Sequence, residues 1–211
     1  VWNGFKELVE VWNELKKILI IKRYLIAFFV YSSALQTVLL IAAYFGEQEI
    51  NWPKDQKTIG LIVSILLIQL IAMFGAIMTS KLSEKFGNIY TLIILNIMWA
   101  LLCFYGYFVE SSNEFYMAAG LVGLVMGGIQ ALSRSTFSKF LPETDNTTSY
   151  FSFYDVCDRL STVLGTFIFG LIIQLTGNMR NGILVLGVVF MLSLYFLVKI
   201  IRSKSNTLIL G

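Results

Sequence analysis

A short cluster of ionisable side chains lies at the head of an otherwise apolar segment. In FYDVCDRLSTVLG, residues 153–165, Asp155, Asp158 and Arg159 fall within two helical turns. Asp155 and Arg159 are spaced i, i+4 and can pair on one helix face, which leaves Asp158 in need of another partner. Such charges belong either to a buried network that is rearranged or protonated during function, or to an interfacial cluster that snorkels to the surface.

Polar side chains recur in other apolar segments. Gln130 and Arg134 are one turn apart in GGIQALSRS, and Arg134 is a candidate partner for Asp158. A single amide, Gln69, lies in another apolar segment. Four more polar residues share one helix face near the start of the chain: Ser32, Ser33, Gln36 and Thr37.

The composition is typical of an integral membrane protein. Of 211 residues, 57% are hydrophobic and only 14% charged, whereas about 25% of a soluble domain is charged. Histidine is absent, and Cys103 and Cys157 are far apart, so neither a metal site nor a cofactor is expected. A net charge of +3 does not favour nucleic acid as a partner.

Stretches of about 18 or more mostly apolar residues predict six membrane spans, and hence an all-α membrane fold. Linkers are short, so residues 21–202 are expected to form one bundle in the lipid bilayer, followed by a cytoplasmic tail at residues 203–211. The predicted spans are residues 24–45, 58–79, 89–109, 115–137, 150–175 and 181–201.

Residues 1–20 predict an amphipathic helix before the first span. Phe5, Trp12 and Leu15 recur at helical spacing, while glutamates and lysines occupy the other face. The pattern fits a helix in the membrane interface and equally a helix packed on another protein domain. Because the chain begins with Val1 rather than Met, we expect a fragment or a processed chain.

The distribution of cations predicts that both termini are cytoplasmic. Only Lys54, Lys57 and Arg180 lie on the opposite side. Polar residues favour spans one, two, four and five, which are therefore expected to line a shared cavity, with spans three and six towards lipid. For single serines and threonines, hydrogen bonding between helices is the simpler interpretation.

Span four contains closely spaced glycines in GLVGLVMGGIQ. Gly123 and Gly127 form a GxxxG pair, and Gly128 follows directly. This spacing permits close helix approach, which serves packing and also lets a helix slide.

The loop between spans two and three resembles the loop motif of the major facilitator superfamily. In SKLSEKFGNIY, Leu82, Glu84, Lys85 and Gly87 match the motif, whereas Asn88 replaces a base.

Two further stretches, GLVGLVMGGIQALSRSTFSKFLPE and SYFSFYDVCDRLSTVLG, resemble the C-terminal half of the vacuole-effluxer-like branch of that superfamily. The match includes Gln130 and Arg134 in the first stretch, and Asp155 and Arg159 in the second. The first span is similar as well, but residues 32–34 are Ser-Ser-Ala where the branch commonly has Asn-Asp-Gly, so an acid is missing from that helix.

The resemblance implies a six-helix half of a secondary transporter, preceded by an amphipathic cytoplasmic helix, in a bacterial cytoplasmic membrane. Its partner would be a missing N-terminal half or a second copy of this half, with a small polar solute bound between them. Amino acids are the solute that the branch suggests.

On this hypothesis no residue is a chemical catalyst, and the candidate residues have transport roles. The charge network and gate comprise Asp155, Asp158, Arg159, Gln130 and Arg134; the cavity lining comprises Ser32, Ser33, Gln36, Thr37 and Gln69; the loop latch comprises Leu82, Glu84, Lys85 and Gly87.

The rival hypothesis is a non-transporting membrane scaffold or receptor on the same fold, in which the span-five charges serve assembly only. Water access at Ser33 or Gln69 would favour a transporter over a scaffold. An intramembrane enzyme is disfavoured, because the sequence has no histidine, no paired membrane carboxylates on different helices and no GxSxG motif.

Overall fold

The structure of the protein is a computed structural model that describes the backbone of residues 2–142 and 147–209. The described residues form seven helices: α1 (Trp2–Leu15), α2 (Leu19–Glu49), α3 (Lys57–Phe86), α4 (Asn88–Phe108), α5 (Ser112–Phe140), α6 (Thr147–Thr176) and α7 (Met179–Ile209).

Helices α2 to α7 are long and apolar enough to cross a membrane. They overlie the six predicted spans and confirm an all-α, multi-pass integral membrane protein. A helix is the natural form for such segments, since it satisfies every backbone polar group within itself where no water is available.

The six long helices run alternately up and down. Helices α2, α4 and α6 begin, and α3, α5 and α7 end, at one end of the bundle, which we term the basal end. Ile20 of α2, Phe140 of α5 and Ile200 of α7 meet there around one cleft. At the opposite end, Arg180 of α7 forms a 2.9 Å ion pair with Glu49 of α2.

Helix α2 is the most buried span. In the most apolar window of each helix, 50% of α2 is buried, against 11% of α3 and 17% of α6. The apolar faces of α3 and α6 are therefore the most exposed part of the bundle.

Helices α4 and α7 pack on each other rather than standing against lipid alone. The Ser193 hydroxyl lies 2.9 Å from Asn96 Oδ1, and the Trp99 ring stacks on Phe190 at 5.5 Å between centroids. The inner faces of spans three and six therefore contact each other, so the prediction that these spans face lipid is wrong for those faces. The reason is that the isolated polar residue of each span, Asn96 or Ser193, bonds to that of the other span.

Helices α3 and α5 run parallel and approach backbone to backbone along the predicted glycines. A Cβ atom on Gly123 or Gly127 would meet the carbonyl oxygen of Ile68 or Ala72, and one on Gly128 would meet the Thr79 side chain. The three glycines therefore lie at a close contact between the two helices.

Helix α1 packs on the basal end of α6. Leu15 is buried, the Trp12 ring stacks on Phe153 at 5.8 Å, and the Tyr150 hydroxyl donates a 2.6 Å hydrogen bond to Glu14. The amphipathic helix thus contacts the bundle of its own chain, which neither predicted alternative included.

Parts of the predictions for the two ends fall on residues that the structure does not describe. The side chains of Val1 and Phe5, and those of the predicted tail at residues 203–211, lie outside the described set. The backbone of α7 continues to Ile209, beyond the predicted start of the tail at residue 203.

Replacing Gly127 with alanine is expected to lower the thermal stability of the chain. The added methyl group overlaps the Ala72 carbonyl, and overpacking costs about 1–3 kcal/mol. Gly170→Ala is the matched control, because a Cβ there meets nothing within 4 Å and gives the same gain in helix propensity. Thermal unfolding of both variants in detergent checks this, and equal midpoints would contradict the close α3–α5 contact.

Candidate functional site

A polar pocket of about 260 Å³ lies where α2, α5 and α6 meet. It is roughly two helical turns in from the basal ends of α5 and α6. Its polar lining comprises Tyr31, Ser32, Gln36, Gln130, Ser133, Arg134, Tyr154, Asp155 and Asp158, and its apolar lining Phe28 and Leu35.

Asp158 of α6 is held by two neutral side chains of α2. The Ser32 hydroxyl donates a hydrogen bond to Asp158 Oδ1. The Gln36 amide nitrogen lies 3.2 Å from Oδ1 and 3.0 Å from Oδ2. Ser32 and Gln36 reach one carboxylate because they are one turn apart on α2.

Asp158 forms no ion pair with any described residue. A carboxylate at membrane depth is costly unless it is hydrogen-bonded or paired. Two neutral donors offset part of that cost and leave the carboxylate able to accept from a further, cationic group in the pocket.

Arg134 of α5 pairs with Asp155 of α6 on the rim of the pocket. Arg134 Nη1 lies 3.1 Å from Asp155 Oδ1, and the guanidinium lies 5.0 Å from the centroid of the Phe151 ring. The sequence offered Arg159 as the partner of Asp155 and Arg134 as that of Asp158, so the observed pairing differs from both. Since both side chains are more than half exposed, the pair contributes little to stability, roughly 0–1 kcal/mol, and opens easily.

A buried hydroxyl cluster joins α2 to α5 along one wall of the pocket. The Tyr24 hydroxyl donates to the Ser133 carbonyl oxygen at 2.6 Å, and the Tyr31 hydroxyl lies 2.7 Å from Ser133 Oγ. Ser133 Oγ itself donates to the Ile129 carbonyl, so Tyr31 is the donor in its contact with Ser133.

Tyr154 of α6 closes one wall of the pocket. Its ring stacks on Phe28 of α2, with centroids 4.2 Å apart, and on Phe137 of α5 at 5.0 Å. Together with the polar contacts, this stacking links α2, α5 and α6 pairwise around the pocket.

Of the ten residues predicted for the charge network and the cavity lining, six meet at the polar pocket and four do not. Ser33 and Thr37 are buried, donate hydrogen bonds within α2 and lie against Gly165 of α6. They therefore serve helix packing, in contrast to the cavity-lining role predicted for them. Gln69 and Arg159 are exposed and do not line the pocket, and Arg159 forms no ion pair among the described residues.

The predicted loop motif forms the turn between α3 and α4. Gly87 has a φ of +85°, which residues with a side chain rarely adopt. A glycine can therefore end α3 and begin α4 at this position without strain. Glu84 and Lys85 are exposed, and the described part of the chain shows no ion pair for either. Asn88, the residue that departs from the motif, instead contacts α5.

Sequence reasoning missed the buried residues that join α2, α5 and α6 around the pocket, namely Tyr24, Ser133 and Tyr154. One signal was present in the sequence. Tyr24 and Tyr31 lie two turns apart on one face of an apolar span, and a buried tyrosine hydroxyl usually needs a hydrogen-bond partner on another helix.

The chain has six spans, an inner polar pocket, and outward apolar faces on α3 and α6. This is the fold of one six-helix half of a major facilitator-type membrane protein. The family model described as "Vacuole effluxer Atg22 like" matches residues 1–207. The chain belongs to this family, as the sequence motifs predict.

Curated relatives come from a bacterium and from fungi. The "Uncharacterized MFS-type transporter YxiO" of Bacillus subtilis is 26% identical over 98% of this chain and 47% of its own length. "Autophagy-related protein 22" of Saccharomyces cerevisiae S288c is 30% identical over 90% of this chain and 37% of its own length. The Eremothecium gossypii protein of the same name is 32% identical over 80% and 34%, respectively. The chain thus spans less than half the length of these relatives.

Tyr31→Phe is expected to destabilise the bundle by about 1 kcal/mol, because it removes one buried hydrogen bond to Ser133 and keeps the ring. Tyr195→Phe is the control, since Tyr195 is exposed on α7. Thermal unfolding in detergent measures the difference. An unchanged midpoint for Tyr31→Phe would show that the hydroxyl contact contributes nothing.

Water access is expected at position 36 and not at position 37. In a chain whose Cys103 and Cys157 are replaced by alanine, Gln36→Cys should react with a charged thiol reagent, because Gln36 lines the polar pocket. Thr37→Cys should react only after unfolding in SDS, because Thr37 is fully buried. Equal labelling of both positions would contradict the assignment of the two helix faces.

Proposed function

We propose that this chain is the second six-helix half of a secondary transporter, and that the polar pocket is its share of the solute pathway. The observation that supports this most is the Asp158 carboxylate, which is held by neutral donors and is open to a cationic group. The family name, an effluxer, and the relative named a transporter support the same class.

The pocket suits a small zwitterion such as an amino acid. Asp158 is positioned to accept hydrogen bonds from an ammonium group. Arg134, released from Asp155, is positioned to bind a carboxylate through its planar guanidinium. Gln130 adds a neutral amide on the rim. A volume of about 260 Å³ on one half leaves the rest of the solute to the other half.

The other half is expected to cover the exposed faces of α3 and α6. Those faces combine large apolar side chains with a few polar residues, among them Gln69 and Arg159. We assign Gln69 and Arg159 to the interface with the missing half, or with a second copy of this one. Glu84 and Lys85 are assigned a latch role with the same partner.

The Arg134–Asp155 pair is proposed as the gate. Alternating access requires contacts that form in one state and break in the other. An exposed ion pair worth roughly 0–1 kcal/mol meets that requirement, whereas the buried Tyr31–Ser133 contact stays closed.

The excess of cations at the basal end further supports a cytoplasmic location for that end and for both termini. The Bacillus subtilis relative supports a bacterial cytoplasmic membrane.

Counterflow of labelled amino acids in proteoliposomes tests the proposal. The chain is reconstituted alone and together with the half that it lacks, taken from the Bacillus subtilis relative. Flux is expected only with both halves. Asp158→Asn should lower it roughly 10- to 100-fold, the loss expected for one hydrogen bond between charged groups.

Asp55→Asn is the matched control, because Asp55 lies in the exposed α2–α3 turn far from the pocket. Arg134→Gln tests the gate and should also lower flux. If Asp158→Asn transports like the parent while the control is normal, the pocket is not on the pathway. If no arrangement gives flux although both halves assemble, the scaffold hypothesis gains support.

A further inference from the structure

A second cleft, distinct from the polar pocket, opens at the basal end of the bundle. Its volume is about 570 Å³, within the range of roughly 300–1,000 Å³ that is usual for ligand sites. It shares no residue with the polar pocket. The basal cleft is lined by Ile20, Phe86, Gly87, Asn88, Ile89, Tyr90, Thr136, Lys139, Phe140, Ile200 and Ile201.

One side of the basal cleft is a set of hydrogen-bond donors. Lys139 Nζ lies 3.1 Å from Asn88 Oδ1, and Asn88 Nδ2 donates to Thr136 Oγ1 at 3.1 Å. The lysine ammonium has three protons and the amide has two, so each has donors left for a ligand. The Asn88 contacts also fix the lysine head at the rim of the cleft.

The first turn of α4 faces the same cleft. Its N-cap is Gly87, which has no side chain, and the structure describes no side-chain cap at this end. The backbone N–H groups of a first helical turn lack partners within the helix and attract anions. Here that turn lies beside a lysine, so two independent sources of positive potential converge on one space.

The other side of the basal cleft is apolar. Ile20 of α2 and Ile200 and Ile201 of α7 line it, together with the rings of Phe86 and Phe140. A soluble anion gains nothing from such a wall, whereas a ligand with a charged head and a hydrocarbon tail uses both sides.

The charges around the basal cleft are mainly positive. Lys22 and Arg23 follow Ile20 on α2, and Arg202 follows Ile201 on α7. The acids nearest in sequence to the cleft lining are Glu84, two residues before Phe86, and Glu143, three residues after Phe140. Cations clustered at one membrane surface favour anionic lipids, by about 1 kcal/mol for each lysine or arginine near the surface.

We propose that the basal cleft binds the phosphate group of an anionic phospholipid. The phosphate accepts hydrogen bonds from Lys139, the Asn88 amide and the first turn of α4, and an acyl chain lies along Ile200 and Ile201. The assignment uses the proposed cytoplasmic orientation of the basal end, but it does not depend on the solute or on transport. A bound lipid would tie the α3–α4 turn to the end of α5.

Native mass spectrometry of the purified chain tests the site. Detergent micelles are doped with phosphatidylglycerol or with phosphatidylcholine, and the retained lipid is counted. The parent chain should retain phosphatidylglycerol preferentially. Lys139→Gln should weaken that retention about five-fold or more, the effect of one cation at a lipid surface. Lys81→Gln is the matched control, because Lys81 is exposed and does not line the cleft.

Further measurements distinguish a lipid site from a folding defect and from a site for a soluble anion. Thermal unfolding without lipid establishes that Lys139→Gln still folds, and Lys139→Arg, which keeps the charge, should retain the lipid. In a separate arm, inorganic phosphate replaces the lipid. Stabilisation by phosphate alone to the same degree would assign the cleft to a soluble anion and overturn the lipid assignment. Equal retention of both lipids, or an equal loss in Lys81→Gln, would also overturn it.

Discussion

The arrangement of this bundle depends on the requirement that a polar side chain inside a membrane helix must find a partner on another helix where its own backbone does not satisfy it. Asp158 shows the effect most clearly: its carboxylate is satisfied only where α6 presents it to Ser32 and Gln36 of α2. Tyr31 and Ser133 impose the same condition between α2 and α5. These contacts fix the rotation of three helices about their own axes, which apolar packing alone specifies poorly because lipid is as apolar as the side chains.

A second, complementary contact holds α3 against α5 through glycines rather than through polar side chains. Gly123 and Gly127 of α5 let the backbone of α3 approach closely, so dispersion rather than hydrogen bonding stabilises that pair. The Asn96–Ser193 hydrogen bond joins α4 to α7 in the same bundle. The helices with the least buried surface, α3 and α6, are therefore each held on one side only. Their open sides are the faces that the proposed function assigns to a partner half.

The sequence predicts the elements of this fold well and their pairings poorly. Span positions follow from length and hydropathy, which act locally, and the glycine contact follows from spacing along one helix. Partner choice depends on which helices are neighbours, and that is not local. Asp155 therefore has Arg159 within reach on its own helix and yet binds Arg134 of α5. The error over Ser33 and Thr37 has the same origin, because residues on one broad helix face divide between the pocket and the contact with Gly165.

Helix α5 connects the two sites at the basal end. Arg134 lies at the polar pocket and Lys139 at the basal cleft, about 7.5 Å apart along the axis and on different faces of the helix. A tilt of α5 that separates Arg134 from Asp155 also changes the distance from Lys139 to Asn88, since both side chains belong to one rigid segment. On the face towards α3, Gly123 and Gly127 meet backbone carbonyl groups of α3 directly, which permits the close approach of the two helices. On the proposed mechanism, a movement of α5 would therefore act on both sites, and occupancy of either site would bias that movement.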